Sequence, residues 1–362
     1  MMTLDKMLNH NEIAESILAV GTDLTPIVLG ETGIGKTSAQ HTLARILKTH
    51  QPIYVDMPNT DVGYLSMMVP DRDTKKIEEY TGSLLCLDDP RPKLIMLDEV
   101  GKMPRIIQPT VTRLMLERTV GNTPLPKGSV VWGTSNLTTD GLGDFLPAHT
   151  LNRCAVLTMR KPNETELNTH FSNIGVSDIT RAWLAMNPRA MHSYLTCNAD
   201  DLKNNPFIFN PAKKQTSFLT PRSLHKADTN IIKKWDRLKP SVAYALLCGT
   251  VGEAAAHSIS TFIPMAQERI PVREEVIPNP RITRIPDKDA VLFLMIMEAV
   301  DVIETHDDMS AFIDYLDRKQ SAMFTALFFT MALSTKRTAR IARENSKIKA
   351  WVKIPGNYQM VQ

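Results

Sequence analysis

Short runs of apolar residues, each ending in small or polar residues, recur through the first half of the chain. They show little alternation of apolar and polar positions, which is typical of strands in a parallel sheet buried on both faces. The runs predict five strands, namely Ile27–Leu29, Ile53–Asp56, Leu94–Glu99, Val130–Asn136 and Ala155–Thr158. Apolar residues at helical spacing predict helices over 1–25, Ser38–Leu47 and Ile106–Arg118. We therefore predict an α/β fold with a five-stranded parallel sheet and flanking helices.

The residues after Lys161 change to longer stretches at helical spacing. The predicted helices are Ser177–Met186, Ser223–Leu238 and Ser241–Phe262. Prolines recur between residues 264 and 286, where they mark a boundary or an extended arm. We therefore predict three parts, which are an α/β core over residues 1–160 with a hairpin insert near 60–89, a helical lid over 161–265 and a helical extension over 266–362.

Composition is that of an ordinary soluble globular protein. Of the 362 residues, 43% are hydrophobic and 22% are charged, and the net charge of +3 implies no strong attraction of the whole molecule to nucleic acid or membrane. The apolar stretches Ala290–Val300 and Ala322–Leu333 are too short to cross a bilayer, so we expect core helices there. The four cysteines form no C-x-x-C pair, which favours reduced thiols and a cytoplasmic location and gives no metal framework.

The segment from Gly30 to Thr37 fits the phosphate-binding pattern G-x-x-x-x-G-K-[ST] at every fixed position. It lies between a predicted strand and a predicted helix, which lets backbone N–H groups and the helix N-terminus face bound phosphates. Lys36 is expected to reach the β- and γ-phosphates, and the hydroxyl of Thr37 to hold Mg²⁺. The predicted nucleotide-binding residues are Gly30, Glu31, Thr32, Gly33, Ile34, Gly35, Lys36, Thr37 and Ser38.

Two further strands end in polar residues that suit phosphate chemistry. Asp98 and Glu99 follow the apolar run Leu94–Leu97, and Asn136 ends the run from Val130. The carboxyl ends of parallel strands are where α/β sheets place their chemistry. We expect Asp98 to hold Mg²⁺, usually through water, and Glu99 to polarise the attacking water. Asn136 either contacts the γ-phosphate or this water, or is an ordinary residue of a strand-terminal turn.

These motifs, in this order, resemble those of an AAA+ ATPase, and within that class the MoxR-like branch with an insert in its second helix. The resemblance covers roughly residues 20–265 and implies a P-loop NTPase fold. The segments that carry it resemble Walker A (Gly30–Thr37), Walker B (Leu94–Glu99), sensor 1 (Thr134–Asn136), the arginine-finger segment (Leu146–Arg153), sensor 2 (Leu219–Ser223) and a lid helix (Gly249–Ala255).

The resemblance implies further functional residues and partners. Arg153 would be the arginine finger that one subunit supplies to the ATP of its neighbour, and Arg222 would act within its own subunit. Together with Glu99 and Asn136 they form the expected catalytic set. A finger that acts on a neighbouring subunit requires an oligomer, most often a hexameric ring in this family. The implied activity is Mg²⁺-dependent ATP hydrolysis coupled to remodelling of a protein partner, which in this branch often has a von Willebrand factor A type domain.

The sequence departs from the family pattern at several positions. Cys154 stands where the finger motif usually has Phe, and Gly101–Lys102 replaces the usual Asn-Arg. These differences affect the expected contacts between subunits more than the nucleotide site. No motif is assigned to the last hundred residues.

Three other functions stay open at this stage. A nucleic-acid motor or loader of the same insert class would use Lys336, Arg340, Arg343 and Lys347, which recur at helical spacing and would share one basic face. A small-molecule kinase would use the same loop but lacks an obvious second substrate pocket. A nucleotide switch would bind ATP and barely hydrolyse it.

Overall fold

The computed structural model describes residues 6–73, 75–137, 148–211, 213, 215–266 and 268–354. The chain divides into two compact units. The first contains Met1–Lys161 with Pro211–Lys213, and the second contains Pro162–Asn210 with Lys214–Gln362. The boundary after Lys161 falls one residue beyond the predicted end of the α/β core.

The first unit is built on a parallel sheet of six strands, which confirms the predicted fold class and adds one strand. The strands are β1 (Met7–Leu8), β2 (Thr25–Gly30), β3 (Gln51–Asp56), β6 (Lys93–Asp98), β9 (Val130–Asn136) and β10 (Cys154–Met159). Their order across the sheet is β1-β10-β2-β9-β6-β3. Strand β2, which precedes the phosphate-binding loop, therefore lies in the interior of the sheet beside β9.

Helices cover both faces of this sheet. They are α1 (His10–Val20), α2 (Ser38–Ile46), the short α3 (Val62–Leu65), α4 (Gln108–Glu117) and the single turn α5 (Ala148–Leu151). Alternate residues of one strand enter opposite layers: Met96 of β6 packs in the core beside α1 and α2, whereas Leu97 packs in the core that includes α4. This explains why the strands are continuous apolar runs.

The start of the chain differs from the predicted helix over residues 1–25. Met7 and Leu8 instead pair with Thr158 and Met159 of β10 as a short edge strand. Helix α1 begins only after Asn9, whose side chain accepts hydrogen bonds from the first helical turn in a capping box with Glu12. The cap sets the start of the helix, and the two residues before the cap are free to extend the sheet.

Two small antiparallel hairpins extend the first unit. The predicted insert forms β4 (Ser66–Asp71) and β5 (Lys76–Thr81), and a shorter hairpin forms β7 (Thr119–Val120) and β8 (Thr123–Pro124). The larger hairpin, β4-β5, exposes several large apolar side chains, namely Met67, Met68, Ile77 and Tyr80. The side chains of this hairpin therefore do not form a hydrophobic core of their own.

The second unit has helices and no strand among its described residues. Its α-helices are α6 (Glu164–Asn173), α7 (Asp178–Met186), α8 (Ala199–Asn204), α9 (Pro221–Asn230), α10 (Pro240–Val251), α11 (Glu253–Ala266), α12 (Asp289–Val302), α13 (His306–Asp317), α14 (Ala322–Ser334), α15 (Ala339–Glu344) and α16 (Ser346–Val352). One hydrophobic core runs from Leu167 to Ile348. It includes residues of both the predicted lid and the predicted C-terminal extension. The division between these two parts stays a prediction.

Two of the predicted helices of this unit were too long. The helix predicted over Ser223–Leu238 begins at Pro221, ends at Asn230 and gives way to a 3-10 helix over Ile232–Arg237. The helix predicted over Ser241–Phe262 is two helices, because Gly252 has a φ of 84° that no helix accommodates. Where the chain is described, no helix is both long and apolar enough to cross a bilayer.

The basic face predicted near the C-terminus is interrupted. Asn345 has extended backbone angles and separates α15 from α16, where its side chain caps the second helix. Lys347 forms an ion pair with Asp314, and Arg340 lies near Glu344. The prediction of one shared helical face was wrong, because Arg340 and Arg343 belong to α15 and Lys347 belongs to α16.

Gly252 provides a test of the helix break. A Cβ at Gly252 would lie 3.0 Å from the carbonyl oxygen of Ser217, and its φ lies in a region that glycine alone adopts readily. Gly252→Ala should therefore lower the free energy of unfolding by about 1–3 kcal/mol, measured by denaturant unfolding followed by circular dichroism.

Gly249 is the matched control, because it lies in α10 and an added Cβ would meet no atom within 4 Å. Gly249→Ala should raise the free energy of unfolding by about 0.5–1 kcal/mol. Equal effects of the two substitutions would contradict this account of the break.

Candidate functional site

The phosphate-binding loop joins the end of β2 to the start of α2. Gly33 and Gly35 have φ values of 76° and 103°, so both turn the backbone where a side chain would add strain. A Cβ at Gly30 would lie 2.9 Å from the carbonyl oxygen of Met159. The glycines are therefore required by the path of the loop itself.

The loop has backbone donors that can bind phosphate. In the described part of the chain, no backbone-to-backbone hydrogen bond outside helices and strands has the N–H of Gly33, Ile34 or Gly35 as its donor. Ser38 begins helix α2, whose N-terminus adds partial positive charge. Donors and helix dipole together form the environment that an anion requires.

Lys36 is folded against the loop and is only 8% exposed. Its ammonium donates to the carbonyl oxygens of Gly30 at 2.6 Å and Glu31 at 2.9 Å. It also donates to Oδ1 of Asn136 at 2.9 Å. Because an ammonium has three donors, a bound phosphate would have to replace at least one of these acceptors.

Asp98 lies at the end of β6, directly beside the strand that ends in Asn136. The carboxylate accepts a short hydrogen bond from the hydroxyl of Thr134 on β9 and a hydrogen bond of 2.8 Å from the hydroxyl of Tyr54 on β3. Among the described residues it has no ion pair. Its negative charge is therefore held by neutral donors.

Glu99 follows with a positive φ of 56°, which turns the chain out of the strand. Its N–H donates to the hydroxyl of Thr134 at 3.2 Å. Its carboxylate forms an ion pair with Lys102 and lies 3.4 Å from the amide nitrogen of Asn136. Asn136 thus contacts both Lys36 and Glu99, so the three predicted residues share one polar network.

The pKa of Tyr54 lies well above its usual range. Partial burial is the largest cause, followed by the hydrogen bond to Asp98 and the negative charges of Asp98, Asp56 and Glu99. Each of these disfavours the phenolate. The hydroxyl is therefore a hydrogen-bond donor rather than an anion at physiological pH.

The residues predicted to hold Mg²⁺ are Thr37 and Asp98, and their donor set fits this ion. Mg²⁺ binds oxygen ligands and is usually held in proteins by one or two side chains together with substrate phosphates and water. A carboxylate that has no ion pair among the described residues, at the end of a strand one removed from β2, meets that need. In the described chain no cluster of three or more His, Cys, Asp or Glu forms an all-protein metal site.

Among the described residues, no hydrogen bond or ion pair links Arg153 to this network. Arg153 follows the turn α5 and is exposed, with its backbone N–H bonded to the carbonyl oxygen of Thr150. Residues 138–147, which include the start of the predicted finger segment, lie outside the described residues. Arg222 is exposed in the first turn of α9 in the second unit. Their roles stay predictions.

Three residues at this site were not assigned a role from the sequence. Tyr54 contacts Asp98 from β3, Thr134 contacts it from β9, and Lys102 contacts Glu99. Thr134 precedes Asn136 by two positions, so it faces the same side of the sheet and could have been inferred from that spacing. Tyr54 carries no such signal, because its contact depends on which strand pairs with β6.

Comparisons with known proteins give no family assignment. No protein-family model and no curated protein matches the chain. Among solved structures it is similar to Hsp104 in a closed state with ATPγS and FITC-casein, at 15% identity and a TM-score of 0.37 over 47% of this chain and 36% of that chain.

Two other solved structures show the same level of similarity. For a proposed ATPase of Cytophaga hutchinsonii, the identity is 15% and the TM-score 0.34, over 73% of this chain and 91% of that chain. For NtrX of Brucella abortus with ADP, the values are 13% and 0.38, over 86% of this chain and 64% of that chain. Similarity at this level carries no argument about activity or assembly, so functional conclusions depend on the site's own residues.

Gln40 anchors the helix that follows the loop. It is 7% exposed, and its amide nitrogen donates to the carbonyl oxygens of Leu94 at 2.9 Å and Ile53 at 3.2 Å. Its amide oxygen accepts from the indole N–H of Trp132 at 3.0 Å. One side chain of α2 thus contacts three neighbouring strands, which fixes the helix and the loop before it.

Gln40→Leu should lower the free energy of unfolding by about 1–3 kcal/mol, because the buried indole N–H of Trp132 loses its acceptor. Adding Trp132→Phe removes that unsatisfied donor. The double variant should therefore be more stable than the sum of the single effects predicts, measured in a double-mutant cycle by denaturant unfolding. Strict additivity would show that this hydrogen bond does not anchor the helix.

Proposed function

We propose that this chain is a Mg²⁺-dependent ATP hydrolase of the AAA+ class. The observation that carries the proposal is the polar network at one edge of the sheet. Lys36 of the phosphate-binding loop contacts Asn136, and Asn136 contacts Glu99. A phosphate-binding cation and a carboxylate suited to orient water are thus joined by one amide, with Asp98 beside them.

Hydrolysis at this site would depend on positioning and charge. The N–H groups of the loop and the ammonium of Lys36 would bind the β- and γ-phosphates. Bound Mg²⁺, held by Thr37 and Asp98, would neutralise charge on the phosphate oxygens. Glu99 would orient a water for in-line attack on the γ-phosphorus, and the bond from that phosphorus to the oxygen of ADP would break. Asn136 would keep Glu99 aligned with the loop.

We further propose a ring in which Arg153 of one copy reaches the nucleotide of the next. The exposure of Arg153, and its lack of an ion pair among the described residues, support a role outside its own subunit. Arg222 would respond to nucleotide from the lid. A hexamer and the MoxR-like assignment belong to this proposal.

The ring would act on a protein partner, which in the MoxR-like branch often has a von Willebrand factor A type domain. The β4-β5 hairpin supports this part, because both of its faces expose large apolar side chains, Met67 and Tyr80 on one face and Met68 and Ile77 on the other. Large apolar side chains exposed in this way are typical of surfaces that contact other proteins.

Glu99→Gln tests hydrolysis directly. The amide cannot accept a proton or polarise water as the carboxylate does, so kcat should fall at least about 100-fold while ATP still binds. Lys36→Ala should instead weaken nucleotide binding. Phosphate release and equilibrium binding of ATP separate the two effects.

Glu117→Gln is the matched control, since Glu117 is exposed at the end of α4 and pairs with Arg113. It should leave both measurements unchanged. Unchanged turnover in Glu99→Gln would contradict hydrolysis by this site and favour a nucleotide switch.

Mixing two inactive variants tests the ring. Arg153→Ala keeps Glu99 in its own pocket, and Glu99→Gln keeps Arg153 for a neighbour. Each variant alone should have little ATPase activity, whereas mixed oligomers should recover part of it. Arg91→Ala, at an exposed arginine paired with Asp89, should stay active alone. Full activity of Arg153→Ala, or no recovery on mixing, would rule out a finger supplied by the neighbour.

A further inference from the structure

We propose that Tyr54 is a positioning residue that holds the carboxylate of Asp98 in the orientation required to bind Mg²⁺ together with nucleotide. This inference rests on the proposed function, because it concerns the same site. Tyr54 is absent from the phosphate-binding and Walker B motifs and belongs to the outer strand of the sheet.

Strand register brings Tyr54 to Asp98. Strands β3 and β6 are parallel, with Tyr54 opposite Met96 and Asp56 opposite Asp98. Residues two apart on a strand share a face, so Tyr54, Asp56 and Asp98 lie on one side of the sheet. The tyrosine ring spans the two-residue offset, and its hydroxyl donates to Oδ2 of Asp98 at 2.8 Å.

The second oxygen of the same carboxylate is held from the opposite side. Thr134 of β9 donates to Oδ1 of Asp98, and β9 and β3 are the two neighbours of β6 in the sheet. Donors on both sides oppose rotation of the carboxylate about its χ2 angle. Each oxygen keeps a second lone-pair direction that can accept from a ligand or a metal-bound water.

A fixed carboxylate matters for this ion in particular. Mg²⁺ requires near-octahedral geometry and gives up its waters reluctantly, so a misdirected acceptor loses much of its effect. Residues that orient a metal ligand typically contribute 10–100-fold in metal affinity. Tyr54 is 49% exposed, so its ring contributes little to the core and its hydroxyl is the part that acts on Asp98.

Tyr54→Phe removes the hydroxyl and keeps the ring. Binding of ADP to the full chain is measured by calorimetry, with EDTA and then across a Mg²⁺ titration. We expect the affinity in EDTA to stay within twofold of the wild type. The Mg²⁺ midpoint is the Mg²⁺ concentration that gives half of the metal-dependent gain in ADP affinity. This midpoint should be about tenfold higher for Tyr54→Phe than for the wild type.

Tyr64→Phe is the matched control, because Tyr64 is an exposed tyrosine of the first unit outside this network. It should behave as the wild type. A thermal unfolding midpoint for Tyr54→Phe within about 2 °C of the wild type would show that the loss is local and not due to unfolding.

Three results would overturn the inference. The Mg²⁺ dependence could be unchanged in Tyr54→Phe, which would make the hydroxyl irrelevant to the metal. Tyr54→Phe could need less Mg²⁺ than the wild type, which would mean that the hydroxyl competes with Mg²⁺ for Asp98. If the affinity for ADP fell as much in EDTA as in Mg²⁺, the substitution would have caused a general defect of the pocket. Failure of the proposed function looks different, because the wild type would then bind no ADP under either condition.

Discussion

Parallel register is the constraint on which the candidate site depends. Gly30 at the end of β2 lies opposite Asn136 at the end of β9, and Asp56 at the end of β3 lies opposite Asp98 at the end of β6. Residues far apart in the chain therefore end on one edge. The backbone hydrogen bonds of the sheet thus bring the strand ends together, and Lys36 of the loop reaches back to Gly30 and Asn136. A slip of one residue in any of these strands would turn its polar end to the opposite face.

This constraint also explains how much of the site could be predicted from the sequence. The phosphate-binding loop, the ends of the strands at Asp98 and Asn136, and the α/β class follow from local patterns, because glycines and apolar runs have direct structural meaning. Tyr54 could not be found in this way. Its role depends on the neighbour relation between β3 and β6, and that relation is a property of the whole sheet.

The errors in the second unit have a different physical origin. Gly252 and Asn345 end helices within stretches whose apolar spacing is otherwise helical. Pro264, in contrast, lies inside α11, although proline usually marks a helix boundary. Apolar positions on both sides of each of these residues enter one shared core, so apolar spacing does not distinguish a helix break from a continuing helix. Spacing identifies the buried positions better than it identifies the ends of helices.

Lys102 gives the site a property that the motifs alone do not suggest. Its ammonium and the amide of Asn136 together engage both oxygens of Glu99. In this conformation the carboxylate serves as a counter-ion, and a water facing the γ-phosphate would compete with a cation for it. Under the proposed function, this carboxylate would have to loosen its contact with Lys102 before it could orient the attacking water. Movement of the short turn Val100–Lys102 would free that carboxylate, so a neighbour or partner that shifts this turn could set the pace of turnover without touching ATP.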